Sequence, residues 1–266
     1  MRILILVTTF LLLAACGEGT PEPAVPEGEP TRLHDFDDPE VTRIHTRMME
    51  AMAPDDGWDR TRYLEFDWGV NREGGALIRS HRWDRFEGIA RYEAPSEEGI
   101  VVAIFPTDTP EEGQIWINGE ALEGEAARDR LVAAHRAHVN DGYWLLMPYK
   151  WSDPGVHARY AGTETDDDGR EWEVVELTFE QDTGLTPQNM YRAFIDPESG
   201  LMERWHFLSN PDADPSPSDW ASWTRVGPIS LARDRVSGGE VRIFFSQLDA
   251  REEVPEGAFD PPVTGG

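Results

Sequence analysis

The chain has 266 residues, 39 % of them apolar, with 51 acidic against 24 basic side chains and a formal net charge of −27. A field of that sign repels nucleic acid and anionic head groups, so neither is its target. A single cysteine excludes an intramolecular disulfide, and ten tryptophans are enough for a real core in a domain of about 225 residues.

Arg2 precedes eleven apolar-run residues from Ile3 to Leu13, and two alanines then lead into Cys16. A positive start, a short apolar stretch and small residues before a break read as a secretory signal, too short to span a bilayer. Leu13-Ala14-Ala15-Cys16 resembles the lipobox of bacterial lipoproteins. That resemblance implies cleavage before Cys16, acylation of Cys16 with palmitate-type chains, and a lipid anchor in place of a transmembrane helix. Gly17 stands where an inner-membrane retention signal has Asp, which favours the outer membrane over the inner, with the chain facing the periplasm. The expected organisation is a signal peptide over 1–15, a disordered acidic Pro/Gly-rich tether over 16–38, and one folded domain over 39–262.

Asp38-Pro39 makes an N-cap and N1 pair, and Val41, Ile44, Met48 and Met52 recur at helical spacing up to Pro54. Strands are then predicted over 62–70, 76–83, 86–93, 100–105 and 114–118, separated by turn residues such as Asn71, Gly74, Gly75 and Pro95. A second helix is predicted from Glu123 to Val139, with Ala127, Leu131, Ala134 and His138 on one stripe and Asn140-Asp141-Gly142 as its end. The second half reads as strand after strand: 143–147, 156–163, 171–181, 189–196, 201–208, 219–226, 229–235 and 240–246. Val175, Leu177 and Phe179 alternate with Glu176, Thr178 and Glu180, one face toward a core and one toward water. Around a dozen strands and two helices imply a mainly β (α+β) fold with a broad curved antiparallel sheet, because a flat one that wide would curl or split.

Three stretches are distinctive: Tyr143-Trp144-Leu145-Leu146-Met147-Pro148-Tyr149-Lys150-Trp151-Ser152-Asp153-Pro154-Gly155, Gly184-Leu185-Thr186-Pro187-Gln188-Asn189-Met190-Tyr191, and Ile195-Asp196-Pro197-Glu198-Ser199-Gly200. They resemble a family of bacterial secreted proteins and lipoproteins that is similar to the LolA/LolB and RseB superfamily of lipoprotein sorting. The resemblance implies an unclosed β-barrel of about eleven strands, with helices on its concave side and an apolar cavity that takes acyl chains. The chain departs from the family pattern at Asn189, where an acidic residue is usual, and no cavity arginine is placed.

The residues lead to a similar expectation. A wide sheet that its helices only partly cover leaves a concave side, and barrel mouths are common ligand sites. Met48, Met52, Trp144, Met147, Trp151, Trp172, Phe179, Met190, Tyr191 and Trp205 are the candidates to line it, with Met49 beside them, since Met adapts to irregular guests and Trp offers large area with one polar handle. Lys150, the sole lysine, lies between Tyr149 and Trp151 and suits an anionic ligand group or Asp153. His135 and His138 are three apart on a helix but lack further ligands at matching positions, and the Asp166-Asp167-Asp168-Gly169 cluster lacks the alternation of a calcium loop. No metal and no cofactor are therefore expected. Nucleophile elbows, zinc-protease helices and phosphate loops are absent as well, so the expectation is a non-enzyme. It would be a lipid-anchored envelope protein binding an acyl chain, lipid or lipoprotein tail. The alternative is an envelope sensor or scaffold that binds a protein partner through its surface or sheet edge.

Overall fold

The computed structural model describes residues 36–263. Cys16, the signal over 1–15 and most of the tether over 16–38 lie outside the described residues.

Helix α1 runs Pro39–Met52. Asp38 starts it, its carboxylate accepting the Glu40 N–H at 3.0 Å while Pro39 occupies a position that needs no donor. Val41, Ile44, His45, Met48 and Met52 form its buried stripe. Pro54 stops it. A single turn, α2 (Gly57–Arg60), then leads into the sheet.

The first set of strands is a meander: β1 (Tyr63–Arg72), β2 (Gly75–Asp84), β3 (Ile89–Ser96), β4 (Gly99–Pro106), β5 (Gln114–Ile117) and β6 (Glu120–Ala121). Helix α3 (Gly124–Leu146) follows, and after it a second meander of β7 (Val156–Thr165), β8 (Glu171–Phe179), β9 (Met190–Ile195), β10 (Met202–Leu208), β11 (Ser216–Val226), β12 (Ile229–Ser237) and β13 (Glu240–Arg251). All thirteen strands join one sheet in the order β6-β5-β4-β3-β2-β1-β13-β12-β11-β10-β9-β8-β7. The two meanders meet where β1 pairs with β13, Tyr63 opposite Arg251 and Val70 opposite Ile243. β6 and β7 are the two ends, and they do not pair with each other, so the barrel stays open.

Laid flat, thirteen strands would span about 58 Å at the usual strand spacing. Register shifts bend this sheet instead, at Glu65/Asp67 in β1, Tyr160/Gly162 in β7, Met202/Arg204 in β10 and Arg235/Val236 in β12. Every sequential connection between strands is a hairpin except one. The link from β6 to β7 must pass from one end of the sheet to the other, and α3 makes that crossing inside the hollow, touching β3, β4 and β5 on one side and β12 on the other.

Two clusters fill the concave side. The larger packs Met48 and Met52 of α1 with Phe66, Trp151, Val175, Leu177, Ile195, Trp205, Trp220 and Phe245. The smaller sets Ala127, Leu131 and Ala134 of α3 on Ala90, Ala103, Phe105 and Ile115. Gly227 makes the tight β11–β12 turn with φ of +53°, and a Cβ there would lie 2.0 Å from the Ala250 carbonyl oxygen, so only glycine fits.

The open curved antiparallel sheet is as expected, with thirteen strands where the resemblance implied about eleven. Two expectations are overturned. α3 does not end at Asn140-Asp141-Gly142, and residues 143–147 form no strand: the helix continues to Leu146 and a 3-10 turn takes Met147–Tyr149. The buried stripe runs on as Ala134, His138, Asp141 and Leu145, and Asp141 is held in it by an ion pair with Arg79 and a hydrogen bond with His81, both of β2, which outweigh the local preference of Asn-Asp-Gly for a turn.

Candidate functional site

A hollow of about 1110 Å³ opens between the C-terminal half of α3, the loop after it and the concave face of the sheet. This is slightly above the usual range of about 300–1,000 Å³ for small-molecule sites. Phe66 and Trp83 of β1 and β2, Tyr143, Trp144 and Leu146 of α3, Val156 of β7, Phe179 of β8, Tyr191 of β9 and Phe207 of β10 give it an aromatic and aliphatic wall. Its rim is polar, from Arg136, Lys150, Asp153, Glu180, Asp182 and the segment 183–186.

The aromatic wall is mutually braced. Tyr143 meets Tyr191 at 5.2 Å and Phe179 at 6.2 Å between ring centroids, Tyr191 meets Phe207 at 5.5 Å, and Trp144 stands edge-on to Trp205 at 4.5 Å. Apolar surroundings push the Tyr143 hydroxyl far above its ordinary pKa and raise that of Tyr191, so both present neutral phenols.

Of the residues singled out in the sequence, Trp144, Phe179, Tyr191 and Lys150 line the hollow. Met48, Met52, Met147, Trp151 and Trp205 lie on the same concave side but are packed into the core, each no more than 1 % exposed. Trp151 Nε1 donates to Met147 Sδ at 3.4 Å, a contact within that core. Trp172 is on the other face of the sheet, in a small cluster with Val174 and Phe194, and so does not reach the hollow. The cause is strand alternation: Val175 and Leu177 of β8 point inward, which turns Trp172 and Val174 outward. Met190 is likewise out of phase with the inward Tyr191, Ala193 and Ile195 of β9. Lys150 is ion-paired with Asp153 at the rim, so its charge is already matched.

His135 and His138, weighed in the sequence only as a metal pair, also line the hollow, and the polar groups behind it were not read as a group. Asp141 is fully buried on α3 and gathers Arg79 Nη2 at 2.5 Å and His81 Nε2 at 2.9 Å from β2. His138 Nδ1 lies 3.3 Å from His81 Nδ1, which extends the chain of contacts to the wall of the hollow, where His138 is a lining residue. Burial keeps both histidines below the ordinary imidazole pKa, His138 well below it, with the neighbouring His81, His135 and Lys150 adding to the effect. Arg235 of β12 is also fully buried. Its guanidinium stacks on Trp220 with the central carbon 3.4 Å from the ring centroid, and donates from Nε to the Trp144 carbonyl at 2.9 Å and from Nη1 to those of Ala232 and Asp234 at 3.1 Å. Trp144 contributes one of the last carbonyls of α3, which have no partner within the helix, so Arg235 both satisfies it and places a cation at the negative helix end. The signal for Asp141 was present as the 3–4 spacing of 127, 131, 134, 138, 141 and 145, visible once a polar residue is allowed on the stripe. Nothing local marks Arg235 among 23 arginines.

Among the described residues no group of His, Cys, Asp and Glu is arranged to hold a metal ion, and no helix is long and apolar enough to cross a membrane.

No protein-family model and no curated protein matches the chain. Solved structures do. A DUF1329 family protein from Desulfovibrio piger matches with 13 % identity and a TM-score of 0.41 over 84 % of this chain and 98 % of its own. A domain named as an outer membrane lipoprotein-sorting protein from Vibrio parahaemolyticus matches with 7 % identity and a TM-score of 0.39 over 81 % and 97 %. A LolA superfamily protein from Nitrosomonas europaea matches with 12 % identity and a TM-score of 0.44 over 82 % and 96 %. The chain itself is an open antiparallel half-barrel with helices in its hollow, and it is similar to these structures.

Proposed function

We propose that this protein is a lipid-anchored envelope protein, facing the periplasm from the outer membrane, that binds an apolar guest such as an acyl chain, a lipid or a lipoprotein tail in the hollow of its half-barrel, without catalysis. The observation that carries this reading is the aromatic-walled space of about 1110 Å³ left between α3 and the sheet. A packed domain leaves few voids larger than a water molecule, so a space of that size with apolar walls and a polar rim is suited to a long apolar guest with a wet end. In this reading residues 1–15 are the signal, Cys16 carries the acyl chains, and 16–38 is the stalk. Domain 39–262 does the binding.

The test uses the chain without residues 1–16, which keeps every described residue. Native mass spectrometry is expected to show lipid adducts carried through purification, and a fluorescent fatty acid should bind saturably at one per chain. A bare mass together with no saturable binding would overturn the reading. The second reading, a sensor or scaffold for a protein partner, draws on the exposed end strand β7, ten residues long. Asp38 Oδ2 already takes the Tyr160 N–H of that strand at 2.9 Å, which blunts the edge and leaves the hollow as the better supported site.

A further inference from the structure

The chain of contacts under the hollow determines which hydrogen-bonding group faces a guest. The Asp141 carboxylate is ion-paired with Arg79 and accepts, so His81 Nε2 is the donor in their 2.9 Å contact. A neutral His81 with its proton on Nε2 carries a lone pair on Nδ1. The 3.3 Å contact between the two Nδ1 atoms then requires His138 to donate from its own Nδ1. His138 Nε2 is left with a lone pair and no hydrogen-bond partner among the described residues, on a side chain that lines the hollow and is only 6 % exposed. Three ring contacts hold the imidazole in place: Trp83 at 5.7 Å, Phe105 at 6.1 Å and His81 at 5.4 Å between centroids. Nε2 is not among the enclosed unpaired atoms and opens on the hollow, so a guest that fills the hollow takes this acceptor out of water, and only a guest that brings a donor avoids the cost of leaving it unpaired.

We infer that His138 is a specificity residue for the head of the guest, and that it selects an uncharged amphiphile whose head carries a hydroxyl over a carboxylate or an ester, neither of which has a proton to offer. This rests on the hollow being an apolar-guest site and names the chemistry of that guest's polar end. Burial and the nearby basic groups His81, His135 and Lys150 disfavour a proton on His138 and so maintain the acceptor. Lys150 is matched by Asp153, and Arg136, the other rim cation, is exposed to solvent, so either offers a carboxylate head only a weak, screened anchor.

The test compares monoolein, methyl oleate and oleate at pH 8 as competitors of a bound fluorescent probe on the chain without residues 1–16. Monoolein should bind about tenfold more tightly than methyl oleate or oleate, the size expected when one buried hydrogen bond is made or left unmade. His138→Leu should abolish the preference, bringing monoolein and methyl oleate to within about twofold of each other, and His138→Gln, which keeps an acceptor, should retain part of it. A second measurement needs no variant: nitrogen NMR of the histidines should show His138 unprotonated at Nε2, with that signal moving when monoolein is added. Equal affinities for the three competitors, or a His138 Nε2 that carries a proton, would overturn the inference and leave the apolar-guest reading standing. Failure of all three to bind would remove both.

Discussion

Two buried charged residues, Asp141 and Arg235, hold α3 to opposite halves of the sheet, and each does so in a different way. Asp141 is an ion-pair partner whose carboxylate is fully enclosed and receives Arg79 and His81 from β2. Breaking a buried pair from one side leaves the other partner uncompensated, so Asp141→Ala should lower unfolding stability by about 3–5 kcal/mol, read from urea denaturation followed by tryptophan fluorescence. The same substitution frees His81 Nε2 of its acceptor and so disturbs the tautomer that His138 depends on. Arg235 has no carboxylate partner: its guanidinium is satisfied by carbonyls of Trp144, Ala232 and Asp234 and by the face of Trp220, and burial lowers its pKa well below the ordinary arginine range. Backbone dipoles and an aromatic face replace a counter-ion there.

At the scale of elements, the hairpin between β9 and β10 is closed by Asp196. Its Oδ1 accepts the N–H groups of Glu198 at 3.0 Å and Ser199 at 2.6 Å, and its Oδ2 accepts from Arg170 Nη2 at 2.5 Å. Burial would raise the carboxyl, but these donors outweigh it and hold the pKa down to about 2. A group depressed in the folded state binds fewer protons than in the unfolded chain, so its contribution is complete above the unfolded value near 4 and is lost as pH falls toward 2. Asp196→Asn should therefore be less stable than the natural chain at pH 7, and its stability should fall less steeply between pH 4 and 2. Urea midpoints measured across that range check both slopes. The hairpin also packs near α1, where Gly200, with φ of +74°, lies close enough that a Cβ would be 3.2 Å from the Arg47 carbonyl oxygen.

For the whole molecule, the decisive feature is the crossing from β6 to β7. Two meanders joined only by ladder pairing would make an open sheet, and the connection through α3 draws its two ends over the same hollow. α3 packs its first half on Ala90, Ala103, Phe105 and Ile115 and its last turn, through Leu145 and Leu146, into the larger core, while Tyr143 and Trp144 of the same turn face the hollow. The proposed lipid anchor is also tested at this scale. Cys16→Ala should shift the protein from the membrane fraction to the soluble one and abolish labelling with radioactive palmitate, checked by detergent phase partition of cell envelopes.

How much of this was legible in the sequence follows from the range of the forces involved. Caps, turns and two-residue alternation are local, so α1 with its Asp38-Pro39 start, the hairpin tips and the strands around Val175, Leu177 and Phe179 could be read from neighbouring residues alone. The last two turns of α3 were only half legible: the 3–4 spacing runs on through 141 and 145, but a buried Asp141 in the helix past Asn140 depends on Arg79 and His81, some sixty residues earlier in the chain. The same holds for the wall of the hollow. Composition marked out a set of large aromatic and methionine side chains, but whether one faces the hollow, like Tyr191, the core, like Trp205, or the outer surface cluster, like Trp172, was decided by the pleat of its strand and the curvature of the sheet as a whole. Chemical type is written residue by residue. Which side of a curved sheet a residue occupies, and whether its polar atom finds a partner there, is set only when distant strands come together.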